Sequence, residues 1–210
     1  MEVLIQKGGV ILILIIGLAF IATVIIIERL LYFRKIRIDE DTILFRLKST
    51  LEKGHFDEAI SICEANPSPI TNLMKVGLEY REHSEERIKD AIVSTANMEI
   101  PKLERFLSAL GTIANIATLL GLLGTVTGNI RAFGVLGNMG SVGDPSLLAK
   151  GIAEALITTA AGLIVSIPTI VFYNYLVNRV NHTIIRLENR VTELVLILVK
   201  TGVREPSREG

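Results

Sequence analysis

Three apolar blocks alternate with charged ones along the chain. In the first, residues 8–27, Thr23 is the one polar interruption. About twenty such residues cross a bilayer once as a helix rising about 1.5 Å per residue. Glu28-Arg29 and then Arg34-Lys35-Ile36-Arg37 follow, a stop-transfer flank and not the small-residue cleavage site of a signal peptide. Residues 8–28 are therefore expected to remain as a first span. The basic flank belongs on the cytoplasmic side, which puts residues 1–7 outside.

Residues 29–105 predict a small helical domain in four pieces. Asp39 or Asp41 can cap a helix that Gly54 ends, and Asp57 a short one that stops before Pro67. A third helix covers residues 70–82. Ser84-Glu85-Glu86 opens the fourth with an N-cap and acid in the first turn, where the helix dipole favours negative charge. Its stripe runs through Ile88, Ile92, Thr95 and Met98 into the next apolar block, and Pro101 is expected to kink it without ending it. His55 and His83 have no neighbours at metal-ligand spacing, and the segment has neither a nucleophile–base pairing nor a Gly-rich phosphate loop.

The second block, residues 106–134, is a span dotted with polar and small residues. Gly111, Asn115, Thr118, Leu122, Thr125 and Asn129 recur at steps of three and four and so share one face. Gly121, Gly124 and Gly128 allow another helix to approach closely. Arg131, near the outer end, can snorkel to the headgroups. Residues 135–147 are glycine-rich and carry no Lys or Arg, as expected of a short outside loop. Asp144-Pro145 supplies an N-cap and an N1 proline for the third span, residues 148–177.

That third block carries a carboxylate, Glu154, and two adjacent hydroxyls, Thr158 and Thr159, among the small residues Gly151, Ala155, Ala161 and Gly162. Pro168 is expected to bend it. A threonine can satisfy itself on the carbonyl one turn back, but an ionisable group inside a span is costly and marks function by default. Counted inward from the outside loop, Thr125 and Thr159 each reach roughly 15 Å, the middle of a roughly 30 Å core, and Glu154 about 9 Å. A carboxylate above a pair of hydroxyls suits the passage of a small cation.

Past Tyr175 the pattern continues without a break. Val177, Val180, Ile184, Leu187, Val191, Leu194 and Leu198 form a heptad seam over residues 178–203, which must pack on another helix, whether of this chain or of another. Gly202 ends it, and residues 204–210 read as a frayed tail. The whole is an all-α membrane protein with three transmembrane helices, the second and third extending into the cytoplasm, and a small helical cytoplasmic domain between spans one and two.

Composition narrows the function. Half of the 210 residues are hydrophobic and 21% charged, yet the net charge is zero, which argues against a nucleic-acid partner. The single cysteine, Cys63, excludes an internal disulfide and a multi-cysteine metal site.

Leu119-Leu120-Gly121-Leu122-Leu123-Gly124-Thr125-Val126, then Gly151-Ile152-Ala153-Glu154-Ala155-Leu156, Thr159-Ala160-Ala161-Gly162-Leu163, Ile167-Pro168 and Tyr173-Asn174, resembles the ExbB/TolQ branch of the MotA/TolQ/ExbB proton-channel family. The resemblance covers nearly the whole chain in topology and is motif-specific over residues 107–174. It implies a multi-pass protein of the bacterial inner membrane, N-terminus in the periplasm and C-terminus in the cytoplasm. Five copies would surround two single-span helices of an ExbD/TolR-type partner, whose membrane aspartate carries the ion, and the work would pass to a TonB- or TolA-type protein. The family's functional positions fall on Thr125, Glu154 and Thr159. Two departures stand out. Thr118 occupies the place of a proline usual in the family, and Thr158 stands where many proton-driven relatives have alanine. A hydroxyl there resembles a sodium feature, and oxygen ligands suit a hard cation.

The expected function is an ion-driven motor subunit, not an enzyme, with no cofactor. The translocated ion is the proton, with sodium as the alternative. The rival is a membrane scaffold whose polar residues only hold helices together. An intramembrane hydrolase lacks paired catalytic residues. A neighbouring reading frame for a short-tailed, single-span protein with a membrane Asp separates motor from scaffold.

Overall fold

The computed structural model describes residues 2–139 and 145–202, with side chains from Gly9 onward except at 37–41, 135–139, 145, 147 and 197–202. The described residues form six helices and no strand. These are α1 (Glu2–Glu52), α2 (Phe56–Ala65), α3 (Pro69–Glu79), α4 (Glu85–Glu104), α5 (Leu107–Met139) and α6 (Pro145–Gly202). Three of the described segments are long and apolar enough to cross a membrane. The chain divides into two compact units, Met1–Arg29 with Phe106–Leu176, and Leu30–Arg105 with Val177–Gly210.

The first unit contains the apolar part of α1, all of α5 and the first part of α6. In α1, two helical pieces meet at Gly9, whose φ of 61° is open to glycine and unfavourable for other residues. Beyond it Leu12, Ile15 and Ala22 are buried, while Val10, Ile13, Leu14, Phe20, Val24 and Ile27 stay exposed. An exposed apolar face of that extent is what lipid or a neighbouring subunit covers. Arg29, at the end of this segment, is buried; it pairs with Glu28 at 2.5 Å and lies 5.8 Å from the centroid of the Phe106 ring. The sequence reading treats Arg29 only as part of a basic flank.

The second unit gathers α2, α3 and α4 with the later parts of α1 and α6. Its core includes Leu47 and Leu51 of α1, Leu73 and Leu78 of α3, Ile88 and Ile92 of α4, and Leu187 and Leu194 of α6. Gly77 lets α3 sit tightly in that core. A Cβ there would fall 2.9 Å from a Leu194 methyl and 3.1 Å from an Ile92 methyl. A capping box fixes the start of α3: Ser68 accepts from the Thr71 backbone N–H, and Thr71 accepts from the backbone N–H of Ser68.

The heptad seam finds its partners within this unit. Val180, Leu187 and Leu194 are buried and Val177, Ile184 and Val191 half-buried, while Leu198 lies outside the described side chains. Lys48 of α1 bonds Glu193 of α6 at 3.0 Å, and Arg190 bonds the same carboxylate at 3.0 Å. Together they hold the Glu193 carboxyl below its ordinary range, Lys48 contributing most. Burial pushes the Cys63 thiol up to about 11, as expected of a small apolar core residue.

Several expected boundaries move. No helix begins at Asp39 or Asp41, because α1 continues through them to Glu52; between Gly17 and Gly54 there is neither glycine nor proline to break it. Gly54, at φ 77°, does end it. The N-cap of α2 is His55, and Asp57 sits in the first turn instead. Helix α3 stops at Glu79, three residues short of expectation. In α4 the buried stripe is Ile88, Ile92, Glu99 and Leu103, and Met98 is exposed. The stripe steps by seven from Ile92 and so passes over Met98, and Glu99 is tolerated because Asn72 (3.0 Å) and Lys102 (2.7 Å) donate to it.

Pro101 lies inside α4, as expected, but the helix does not run on into the next apolar block. It ends at Glu104, and Phe106 takes a left-handed φ of 64° before α5 begins. Helix α5 extends to Met139, so Gly137 is helical and does not belong to a loop. Gly140, Gly143 and the Asp144 cap lie outside the described residues. Pro145 is the first residue of α6, and Pro168 sits within it without ending it.

Candidate functional site

The site is built by α5 and α6 of the first unit, which run antiparallel in one constant register. Going from one end of the contact to the other, Tyr173 covers Gly111, Ser166 faces Thr118, Gly162 and Thr159 face Gly121, Thr158 faces Gly124, Ala155 faces Gly128 and Gly151 faces Ala132. Backbones touch along this line. A Cβ on Gly162 would lie 2.6 Å from the Ala117 carbonyl oxygen, and one on Gly121 3.2 Å from Thr159 Cα. One on Gly128 would lie 2.5 Å from Ala155 Cβ. Small residues occur at these positions because nothing larger fits, which is how membrane helices gain close packing. The glycines singled out in the sequence, Gly121, Gly124, Gly128, Gly151 and Gly162, all lie in this contact.

Close approach brings hydroxyls together. Thr125 and Thr159 are hydrogen-bonded oxygen to oxygen across the helix pair. Thr159 also donates to the Gly121 carbonyl at 2.8 Å. Both side chains are half-buried, so the pair is braced by protein and still open on one side. Thr158 behaves differently from its neighbour. It is 3% exposed, packs against Gly124, and donates to the carbonyl of Ala155 in its own helix at 2.7 Å. One residue of helix separates the two hydroxyls by about 100°, so the adjacent threonines do not act on one point.

Glu154 is half-buried and lines a cavity of 180 Å³ with Arg131, Thr127 and Thr158. The carboxylate and guanidinium share this space, but no ion pair joins them among the described residues. Gly9, Val10 and Ile11 of α1 also line it, while Thr125 and Thr159 do not reach it; it is large enough to hold water beside its charged and hydroxyl groups.

Sequence reasoning missed Ser166. It is 2% exposed, and Thr118 donates to its oxygen at 2.7 Å across the helix pair. The signal was available: Ser166 stands seven residues after Thr159, as Thr118 stands seven before Thr125.

Among the described residues three helices are long and apolar enough to cross a membrane, and comparison with known proteins gives the family. Residues 65–189 match the model of the MotA/TolQ/ExbB proton channel family. An ExbB homolog of Methanothermobacter thermautotrophicus, named for biopolymer transport, is 33% identical over 87% of this chain and 65% of its own length. A biopolymer transport ExbB-like protein of Synechocystis is 36% identical over 82% of this chain and 68% of its own. The TolQ protein of the Tol-Pal system of Haemophilus influenzae is 40% identical over 49% of this chain and 44% of its own. The chain thus spans a little under two thirds of the Methanothermobacter relative. It belongs to the MotA/TolQ/ExbB proton channel family and is a multi-pass membrane protein.

Proposed function

We propose that this chain is the ring subunit of an ion-driven motor in the bacterial inner membrane. Five copies surround two copies of an ExbD/TolR-type single-span protein, and α5 and α6 line the inner wall. Ion flow moves the partner helices, and a TonB- or TolA-type protein carries the work to an envelope process. The N-terminus lies in the periplasm and residues 29–105 and 178–203 in the cytoplasm. The chain itself performs no covalent chemistry and needs no cofactor.

The hydrogen-bonded Thr125–Thr159 pair is the observation that carries this reading. A hydroxyl offers one neutral oxygen, too little to bind an ion alone. Two of them can replace part of a hydration shell, or hydrogen-bond a partner carboxylate as it gains and loses a proton. Glu154 and its recess gather cations on the outer side. The transported ion is the proton. Sodium is the alternative, and for it the Thr158 oxygen, buried against Gly124, would have to reach the path.

Co-purification with the neighbouring single-span protein, followed by imaging of subunit numbers, tests the assembly. A five-to-two complex supports the motor. A chain that purifies with no such partner supports the scaffold reading.

A further inference from the structure

The two interhelical hydroxyl pairs are related by a simple step. Thr118 precedes Thr125 by seven residues, and Ser166 follows Thr159 by seven. Because the helices are antiparallel, both steps run the same way, toward the α4 end of α5. Seven residues are two turns of helix, about 10.5 Å, so Thr118–Ser166 presents its oxygens on the same face as Thr125–Thr159. One step further in the same direction, Tyr173 covers Gly111. In the opposite direction the next positions are Ala132 and Ile152, which carry no polar side chain. The seven-residue repeat of paired hydroxyls therefore continues to one side of the central pair only.

Resting on the ion-path reading above, we propose that Thr118 and Ser166 form a second step of that path, on its cytoplasmic side, used by the proton or hydrated monovalent cation after it leaves Thr125–Thr159. Ser166 is fully buried and Thr118 is open on one side. Thr118 donates to Ser166 at 2.7 Å, with the Ala114 carbonyl at 3.2 Å as the weaker acceptor. Its hydroxyl proton thus has two acceptors to switch between, and its lone pairs remain available to water or the ion from the open side. About 10 Å separates the two steps, more than one hydrogen bond spans, so transfer between them runs through water.

A pair that merely ties α5 to α6 is the competing explanation, and flux separates the two. The complex with its single-span partner is reconstituted in vesicles enclosing a pH-sensitive dye, with a parallel set enclosing a sodium-sensitive dye. Parent, Thr118→Val, Thr118→Ser, the double variant Thr118→Val/Ser166→Ala, and Thr159→Val are compared at equal assembly and equal gradient. The double variant removes both partners, so no buried group is orphaned and the fold is little affected. Thr118→Val and the double variant are expected to lower flux of the transported ion about tenfold, the rate equivalent of one lost hydrogen bond to the ion. Thr118→Ser, which keeps the oxygen, is expected to retain most of the flux. If Thr159→Val blocks flux while Thr118→Val and the double variant conduct like the parent, the second step is overturned and the central pair stands. If Thr159→Val itself conducts like the parent, the ion path fails and this step with it.

Discussion

The hydroxyl of Thr158 packs directly against Gly124, at a distance where any Cβ on residue 124 would collide with it. Helix α5 accordingly has a glycine where α6 has a branched side chain, and the pair fits like a notch. Gly124→Ala is expected to destabilise the purified protein by about 1–3 kcal/mol, more than alanine's helix propensity returns. Such a Cβ would also fall 2.5 Å from Thr158 Cβ, so alanine at 158 does not relieve the clash but glycine does. Thermal unfolding in detergent should show Gly124→Ala/Thr158→Gly less destabilised than the sum of the two single changes. Strict additivity would mean the two positions do not touch.

Thr158→Ala removes a buried hydroxyl that donates to the Ala155 carbonyl and packs against Gly124, away from the Thr125–Thr159 pair. Ion-driven activity is expected to stay within about twofold of the parent, at a stability cost of about 1 kcal/mol or less. A loss of sodium dependence in the same assay would assign the Thr158 oxygen to the ion.

Glu154 shares its recess with Arg131 but forms no ion pair with it among the described residues. Glu154→Gln should therefore leave assembly intact and shift the melting temperature by no more than about 2 °C. Ion flux should fall, because the outer recess no longer attracts cations. A ring that dissociates, and is restored by also neutralising Arg131, would make Glu154 a structural group.

The second unit carries a predictable acid sensitivity. Lys48 and then Arg190 lower the Glu193 pKa from its ordinary 4.5. A carboxyl with a depressed folded value stabilises fully above its unfolded pKa and loses that contribution as pH falls through the folded value. Both partners are largely exposed, so the contribution is small and screened by salt. Unfolding of the full chain should become easier below pH 4.5, less so in Glu193→Gln and less so at high salt. Equal acid sensitivity in parent and variant would place the titration elsewhere.

Much of the candidate site was legible because close helix packing leaves a strong mark. Gly121, Gly124 and Gly128 on one helix and Gly151 and Gly162 on the other announce a backbone contact, and antiparallel counting from the loop brings Thr125 level with Thr159. What sequence spacing leaves out is direction around the helix. Thr158 and Thr159 look equivalent in the sequence, and only the packed pair separates a hydroxyl turned into Gly124 from one turned toward Thr125. Glu99 and Met98 show the same limit, since either fits a helical stripe until Asn72 and Lys102 supply the donors that let a carboxylate be buried. Arg29 was hidden for another reason: the Phe106 ring that it meets lies 77 residues away in sequence. The helix ends were least legible. Asp39 and Asp41 look like caps, yet without a glycine or proline nearby α1 simply continues.

The central claim is that the Thr125–Thr159 pair lies on the path of the ion. Flux of protons, and in parallel of sodium, into vesicles holding the assembled complex tests it most directly, with Thr159→Val set against the parent at matched assembly and gradient. Valine keeps nearly the same shape and removes only the oxygen. The account predicts an assembled ring whose flux has fallen about tenfold or more, as expected when a hydrogen-bonding group is lost from the transition state. Flux equal to the parent would contradict it.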